Sequence, residues 1–173
     1  LNVIGYYCTE NLFYEGCIEG DGIDDFYFGQ INHPQSGCSP DGYGDFTSMS
    51  TELSCGEETG VEVSSAYNSQ YICMWIDFND DYSFDPEERI LDNGFLEYAN
   101  NLYYFPVIIP EQCLPGDHRM RVRVNYYDAF DDPCGIVDYG EVHDYTAVII
   151  EAQEIESLQG TVYNWDFDAP QEG

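Results

Sequence analysis

The chain has 173 residues, with 34 Asp and Glu against 4 Arg and no Lys, so its formal net charge is −30. Nucleic-acid binding needs clustered basic residues, and a bilayer span needs about 20 apolar residues in a row, so the sequence excludes both a nucleic-acid-binding protein and membrane insertion. A hydrophobic fraction of 43% and an aromatic fraction of 16% are too high for a disordered acidic chain, and the length suits one folded domain.

Alternating apolar and polar residues dominate the chain, and no window keeps a helical pattern over three turns. This periodicity predicts an all-β protein. The clearest strands are expected over residues 61–67, 71–78, 102–109, 119–127 and 142–150. Short strands separated by Gly, Pro, Asn and Asp clusters are typical of a β-sandwich.

The two ends differ from this central region. Residues 1–7 form an apolar run, residues 151–157 are acidic, and residues 158–165 regain strand character. We therefore expect an N-terminal arm strand over 1–7, a sandwich over 8–150, and an acidic linker with a C-terminal arm strand over 151–173. The arm residues expected to contact a partner are Val3, Ile4, Tyr6, Leu158, Thr161, Val162, Tyr163 and Trp165, whereas Trp75, inside the most hydrophobic strand, is expected in the core.

The strand over 119–127 alternates most regularly of all. One face takes the apolar Met120, Val122 and Val124, and the other takes Arg119, Arg121 and Arg123, three of the four positive charges in the chain. This arginine row has two interpretations. It pairs with acidic residues on neighbouring strands, which we favour in so acidic a chain, or it forms a stripe that binds an anionic ligand.

Seven cysteines are spread along the chain without a C-x-x-C motif, and only three histidines could complete a zinc site. Disulfide bonds in an oxidising compartment are therefore favoured over zinc, and we expect a secreted, extracellular or cell-surface protein. Because seven is odd, at least one thiol is free or pairs between chains.

Acidic and hydroxyl residues alternate between positions 77 and 88 with the spacing of a calcium-binding loop. Oxygen ligands at loop positions 1, 3, 5, 7, 9 and 12 suit Ca²⁺, which takes six to eight oxygens. Tyr82 stands where an EF-hand loop has Gly, and flanking helices are absent, so we expect a calcium loop joined to a strand, or else a surface turn without an ion. The predicted ligands are Asp77, Asn79, Asp81, Ser83, Asp85 and Glu88.

No motif for catalysis stands out. G-x-S-x-G and H-E-x-x-H are absent from the sequence, and His33, His118 and His143 have no evident nucleophile partner. With 34 acidic residues, nearly any carboxylate pair could be proposed for glycoside hydrolysis, so the pattern does not identify one. We therefore expect a protein that is not an enzyme.

Residues 139–146, Tyr-Gly-Glu-Val-His-Asp-Tyr-Thr, resemble the signature of the GEVED domain, a β-sandwich module of secreted and surface proteins, mostly bacterial. His143 replaces the second Glu of that signature. The resemblance extends in order over roughly residues 7–150. It includes Tyr-Cys-Thr at 7–9, Trp-Ile-Asp-Phe-Asn at 75–79, Arg-Met-Arg-Val-Arg at 119–123 and Pro-Cys-Gly at 133–135.

This resemblance implies a jelly-roll-like antiparallel sandwich in an exported protein, with a Cys8–Cys134 disulfide and no catalysis. For the other cysteines we expect Cys17 to pair with Cys38 and Cys55 with Cys113, which leaves Cys73 buried and inert. Glu141 and Asp144 become secondary candidates, either to complete the calcium loop or to pair with the arginine row.

Two functions remain in view. The first is a structural subunit that polymerises head to tail into a filament or surface array, with an arm of one copy adding a strand to the next. The second is a calcium-dependent carbohydrate-binding or adhesion module of a larger secreted protein. The expected partners are therefore copies of the chain itself or a polysaccharide.

Overall fold

Ten strands form two sheets that pack face to face in a computed structural model that describes residues 5–150. No helix in this part of the chain is long and apolar enough to cross a membrane. Two short 3₁₀ turns cover Pro40–Gly42 and Pro86–Glu88. The strands are β1 (Phe13–Gly16), β2 (Asp25–Phe28), β3 (Ile31–His33), β4 (Tyr43–Ser54), β5 (Glu58–Ser64), β6 (Gln70–Ile76), β7 (Arg89–Leu96), β8 (Tyr103–Ile108), β9 (Gly116–Tyr126) and β10 (Val137–Ile150).

The larger sheet has the order β7-β6-β9-β10, and both β1 and β4 pair with the free side of β10. The smaller sheet has the order β3-β2-β5-β8 and is antiparallel throughout. The predicted all-β sandwich is therefore confirmed. The antiparallel expectation needs one correction, because β1 and β4 run parallel to β10. Both are distant from β10 in sequence, so no hairpin turn imposes an antiparallel pairing.

Each of the five predicted strands matches an observed one, with limits that differ by a few residues. Strand β9 ends at Tyr126 because Tyr127 turns to a left-handed φ of 70°. The other five strands were not predicted. Three of them span only three or four residues, and β7 is interrupted by a register shift around Asn93, whose φ is 48°.

The main core lies between the two sheets. Alternate residues of each strand point inward, and Phe26, Val61, Ile72, Val122 and Tyr145 are all fully buried there. Burial of such side chains stabilises a fold by roughly 1.5–3 kcal/mol each, so this layer supplies most of the hydrophobic driving force.

A second, smaller cluster covers the opposite, outer face of the large sheet. Cys73, Trp75 and Phe84 are buried there, with Tyr7 and Phe130 packed against them. Trp75 is thus buried as expected, although in this outer cluster rather than between the sheets. We call the two segments 5–16 and 127–136 the outer cover, because both contribute to the layer that lies over this face.

Three disulfides join the cysteines as expected from the sequence: Cys8–Cys134, Cys17–Cys38 and Cys55–Cys113. The first ties the two segments of the outer cover to each other. Cys73 is the free cysteine and is fully buried. Burial raises the pKa of its thiol to about 11, so Cys73 is inert at neutral pH.

Candidate functional site

The arginine row on β9 faces the outer cover, and its centre pairs with β10. Arg121 donates two parallel hydrogen bonds to the Asp144 carboxylate, from Nε to Oδ1 and from Nη2 to Oδ2, each 2.8 Å long. Both residues are fully buried. Tyr43 on β4 donates its hydroxyl to the same carboxylate at 3.0 Å. The interpretation of the row as acid-paired is therefore confirmed at Arg121, and Asp144 is the acid.

The other two arginines of the row have different surroundings. Arg123 is fully buried without a carboxylate partner, and it donates to the carbonyls of Asp132 and Gly135 in the outer cover. Burial and the nearby charge of Arg121 lower the pKa of Arg123 to about 10, so it still carries its charge at neutral pH. Arg119 keeps a quarter of its side chain exposed and lies 4.8 Å from the Tyr7 ring centroid.

Glu141, on the inner side of β10, fastens the disulfide loop that contains Cys17 and Cys38. Its two carboxylate oxygens accept the backbone N–H groups of Ile23 at 2.8 Å and of Ser39 at 2.7 Å. The His143 Nε2 atom lies 3.1 Å from the same carboxylate. Glu141 therefore has a structural role here, and neither it nor Asp144 lies in the predicted calcium loop.

His143 belongs to a buried chain of polar groups rather than to a catalytic triad. Its Nδ1 atom lies 3.0 Å from the Tyr145 hydroxyl, which also lies 2.9 Å from His33 Nδ1. Ser39 Oγ lies 3.5 Å from His143 Nε2, on the same nitrogen that faces Glu141. A triad needs the hydroxyl and the acid on opposite ring nitrogens, so this arrangement does not activate Ser39.

The loop between β6 and β7 carries the six predicted calcium ligands. Asp77 and Glu88 are buried, whereas Asn79, Asp81, Ser83 and Asp85 are exposed. The buried carboxylates accept hydrogen bonds from the backbone of the loop itself. Asp77 accepts N–H groups of Asp81 and Tyr82, and Glu88 accepts those of Phe78 and Asp85.

The two buried carboxylates of this loop, Asp77 and Glu88, interact unfavourably with each other. Burial raises the pKa of Glu88, and the nearby Asp77 charge raises it further. Tyr82 adopts a φ of 70°, in the left-handed region that favours Gly and that the calcium-loop spacing requires at this position. Within residues 5–150, however, no three His, Cys, Asp or Glu side chains converge closely enough to hold a metal ion.

A groove of about 850 Å³ lies beside this loop, between the start of the outer cover and β4. Tyr6 and Tyr82 on its walls are exposed, and Tyr7 donates its hydroxyl to Asp77 at 2.6 Å. We call it the loop groove. Its lining includes Tyr6, Tyr7, Tyr43, Asp45, Tyr82 and Arg119.

Comparison with known families identifies the segment that contains the arginine row, the loop and the Glu141 strand. The model of the GEVED domain family matches residues 71–148. These residues are therefore similar to the GEVED domain. The match confirms the resemblance found in the sequence, over a shorter stretch than the expected 7–150. No curated protein matches the chain.

The GEVED signature on β10 has a physical explanation in this fold. Gly140 has a φ of 145°, and a side chain there would collide with the Val124 carbonyl. Glu141 then points inward to fasten the Cys17–Cys38 loop, and Asp144 points outward to Arg121. The signature thus joins three parts of the sandwich, with Glu141, His143 and Asp144 fully buried.

Sequence reasoning missed several residues of the site. Tyr43 and Asp45 line the loop groove from β4, a strand that alternation did not indicate. Tyr7 was assigned to an arm, yet it packs on the sandwich. Of the predicted assembly residues, Tyr6 is exposed, and Val3, Ile4 and those from Leu158 onward lie outside the described residues.

Proposed function

We propose that this protein is a non-catalytic structural subunit outside the cell, assembling head to tail into a filament or surface array. The GEVED domain is a secreted and surface module, and three disulfides fit an extracellular protein. The observation that carries the assembly proposal is the free backbone edge of β8, which can accept a strand from another copy on either side of Pro106.

The backbone of β8 presents its free edge through alternate residues. Ile109 donates its N–H to Glu57, beyond the end of β5, so the odd-numbered residues bond inward and Tyr104, Pro106 and Ile108 face outward. Within the described chain no strand pairs with this edge. Tyr104 and Ile108 are also more than 60% exposed. The edge therefore offers two N–H donors and an apolar surface on either side of Pro106.

Other long strands at sheet borders are protected. On β4, the Glu52 N–H donates to the Gln30 side chain and the Ser54 N–H donates to Glu57. These side chains occupy the positions that an added strand would need. Strand β7 is interrupted by its register shift near Asn93. This asymmetry makes β8 the favoured acceptor, with the arm of residues 158–165 from another copy as the donor.

Charge sets a condition on this assembly. Each copy carries a formal charge of −30, so copies repel at close contact unless salt or calcium screens them. Filaments should therefore form more readily as ionic strength rises, which is the reverse of an assembly held by ion pairs.

The test is the assembly state of the full chain, measured by negative-stain microscopy and light scattering. Ile108→Pro removes an outward N–H without breaking the ladder to β5, so filaments should disappear. Ile108→Thr is the matched control, because it keeps the N–H and should still polymerise. Deleting residues 151–173 should also abolish filaments.

Melting curves show whether each variant remains folded. Monomers of the unmodified chain at every concentration and ionic strength would exclude strand-mediated assembly. Filaments that persist in folded Ile108→Pro would remove β8 as the acceptor.

We further propose that the loop at 77–88 binds Ca²⁺, which would offset the repulsion between Asp77 and Glu88. Its ligands would be the six residues predicted from the sequence. Millimolar calcium should then raise the melting temperature by mass action. The effect should weaken as pH falls, because the raised pKa of Glu88 makes it take up a proton early. Asp81→Asn tests the loop, and Asp92→Asn is the control. Equal melting curves in calcium and in chelator would exclude the site.

The loop groove supports a second candidate function, carbohydrate binding. Tyr6 and Tyr82 give it exposed aromatic rings beside the proposed calcium loop, and Arg119 adds a partly exposed cation. A glycan array with and without chelator tests this function. Binding that needs calcium and is lost in Tyr82→Ala supports an adhesion module, whereas an array without any bound glycan leaves only the structural subunit.

A further inference from the structure

A second groove, of about 470 Å³, opens at the end of the sandwich opposite the calcium loop. Two residue pairs of the β6–β9 ladder mark these ends. Gln70 pairs with Tyr126 next to this groove, and Ile76 pairs with Met120 just before the loop. We call it the tyrosine groove. Its main lining residues are Tyr14, Tyr126, Tyr127, Tyr139, Asp128 and Asp138.

The rings in the tyrosine groove are arranged as walls rather than as a packed stack. The Tyr126 centroid lies 6.3 Å from that of Tyr139, with the two planes nearly perpendicular, and 5.9 Å from that of Tyr127. Tyr14 and Tyr127 are 74% and 69% exposed. Their ring faces are therefore free to contact a ligand, and such faces attract both cations and the C–H surfaces of sugar rings.

Charge in this groove has a single sign. Asp128 and Asp138 line it, and burial together with Glu15 and Asp138 raises the pKa of Tyr139. No Lys or Arg lines the groove within the described residues. Arg123 donates a hydrogen bond to Asn125, which lines the groove, but Arg123 itself is fully buried between Phe13 and Phe130. A cleft lined by one sign of charge concentrates ligands of the opposite sign.

These features discriminate between classes of ligand. Anionic sugars and phosphates are repelled by the carboxylates. A neutral sugar can use the ring faces, but it gains nothing from the acids. A lysine side chain can place its ammonium group near the carboxylates, but it has no ring to stack on the tyrosines. A sugar ring that carries a free amine uses both the ring faces and the acids.

We propose that the tyrosine groove binds the cationic amino-sugar units of a polysaccharide, without calcium. The ring of one unit stacks on Tyr127 or Tyr139, and its ammonium group faces Asp128 and Asp138. This site is separate from the loop groove and from the β8 edge, so it does not depend on the proposed assembly function.

The test compares two tetrasaccharides of equal length, one of β-linked glucosamine and one of N-acetylglucosamine. Binding to the full chain is measured by calorimetry at about pH 6, where the amines remain protonated. We expect the glucosamine oligomer to bind at least about tenfold more tightly, and its affinity to fall with salt. Backbone amide shifts should change at residues 126–128 and 137–139.

Three variants locate the site. Tyr127→Ala should weaken binding at least about fivefold by removing one ring face, and Asp138→Asn should weaken it by removing charge without changing shape. Tyr98→Ala, at a tyrosine that is 58% exposed elsewhere on the surface, is the matched control and should bind normally.

Equal affinity for the acetylated oligomer would overturn the proposal. So would tetralysine that binds as tightly as glucosamine tetramer and is insensitive to Tyr127→Ala, since that result would indicate attraction to the acidic surface alone. Because Tyr127 and Asp138 are exposed, the variants should remain folded, and melting curves check this.

Discussion

The large sheet buries both of its faces, but by different means. On the inner face, Met120, Val122 and Val124 pack against a second sheet and are fully apolar. On the outer face, the alternate residues Arg121 and Arg123 of the same strand are equally buried. One strand therefore supports a hydrophobic core on one side and a charged core on the other.

The difference lies in what covers each face. A sheet covers the inner face, so nondirectional hydrophobic contacts are sufficient. The outer face has Phe84 of the loop at 77–88 and the outer cover, and the backbone of the cover needs hydrogen-bond donors. Arg121 supplies them to the carbonyls of Cys8 and Pro133, and Arg123 supplies them to Asp132 and Gly135. The arginine row thus positions irregular segments that carry the loop groove and the tyrosine groove.

Breaking the Arg121–Asp144 pair beneath the outer cover should cause the largest loss of stability. Asp144→Asn leaves Arg121 buried without its carboxylate, and removing one partner of a buried pair costs about 3–5 kcal/mol of unfolding free energy. Denaturant unfolding measures this loss. Asp92→Asn is the control, since the Arg89–Asp92 pair lies at the surface at 3.4 Å and should matter little. If both variants lost equally little stability, the outer face would not depend on its charges.

Removing the disulfide of the outer cover should cause the second-largest loss of stability. Cys8 and Cys134 are 126 residues apart, and replacing both with Ser should lower the unfolding free energy by about 2–5 kcal/mol. The effect should also be local, with segment 5–16 cleaved by protease before the strands are. Replacing Cys55 and Cys113 with Ser is the control, because their disulfide lies outside the cover and should not expose 5–16. Simultaneous cleavage of the cover and the core would show that the two faces open together.

The sequence predicted the elements that alternate and missed the contacts that depend on distant residues. Alternation identified β9 and its two faces, because the side-chain period of a strand is a local property. Which acid pairs with Arg121 is not local. Among 34 acidic residues, Asp144 was one of two secondary candidates, named through the family resemblance, and only the register of β9 with β10 places it opposite Arg121.

The same limit applies to the candidate site. Glu141 fastens the backbone at Ile23 and Ser39, both more than 100 residues away. The parallel pairing of β4 with β10 brings Tyr43 to Asp144 and to the loop groove. Neither contact leaves a pattern in the sequence. The spacing of the loop at 77–88 is local, and it was visible for that reason.

The polar groups of His33, Tyr145 and His143 on the inner face should make stability depend on pH. Burial, and then the charge of His143, lowers the pKa of His33 below its usual 6.5. The unfolded state therefore binds this proton more readily. Stability that is complete above about pH 6.5 is lost as pH falls toward the folded pKa, with a slope of up to about 1.4 kcal/mol per pH unit.

His33→Phe should flatten that slope, while Tyr145 keeps its contact with His143 Nδ1. Denaturant unfolding between about pH 7 and pH 5 measures the difference from the unmodified chain. Asp92→Asn, remote from this chain of groups, should leave the slope unchanged. Parallel pH profiles for the unmodified chain and His33→Phe would show that His33 does not take part.

The smallest expected effect is on the labelling rate of the free thiol, which serves as a probe of the outer cover. Cys73 is fully buried on the outer face, and its Sγ lies 3.5 Å from the Phe130 carbonyl of the cover. Because burial raises its pKa to about 11, a thiol reagent should not label the native chain until it unfolds. In the chain with Ser at positions 8 and 134, labelling should accelerate while the inner core stays folded, since the Phe130 segment of the cover lies against this thiol. Labelling in denaturant gives the upper rate. Equally slow labelling in both native chains would mean that the arginine row holds the cover in place without the disulfide. The charged outer face would then, like the apolar inner face, need no covalent bond to stay buried.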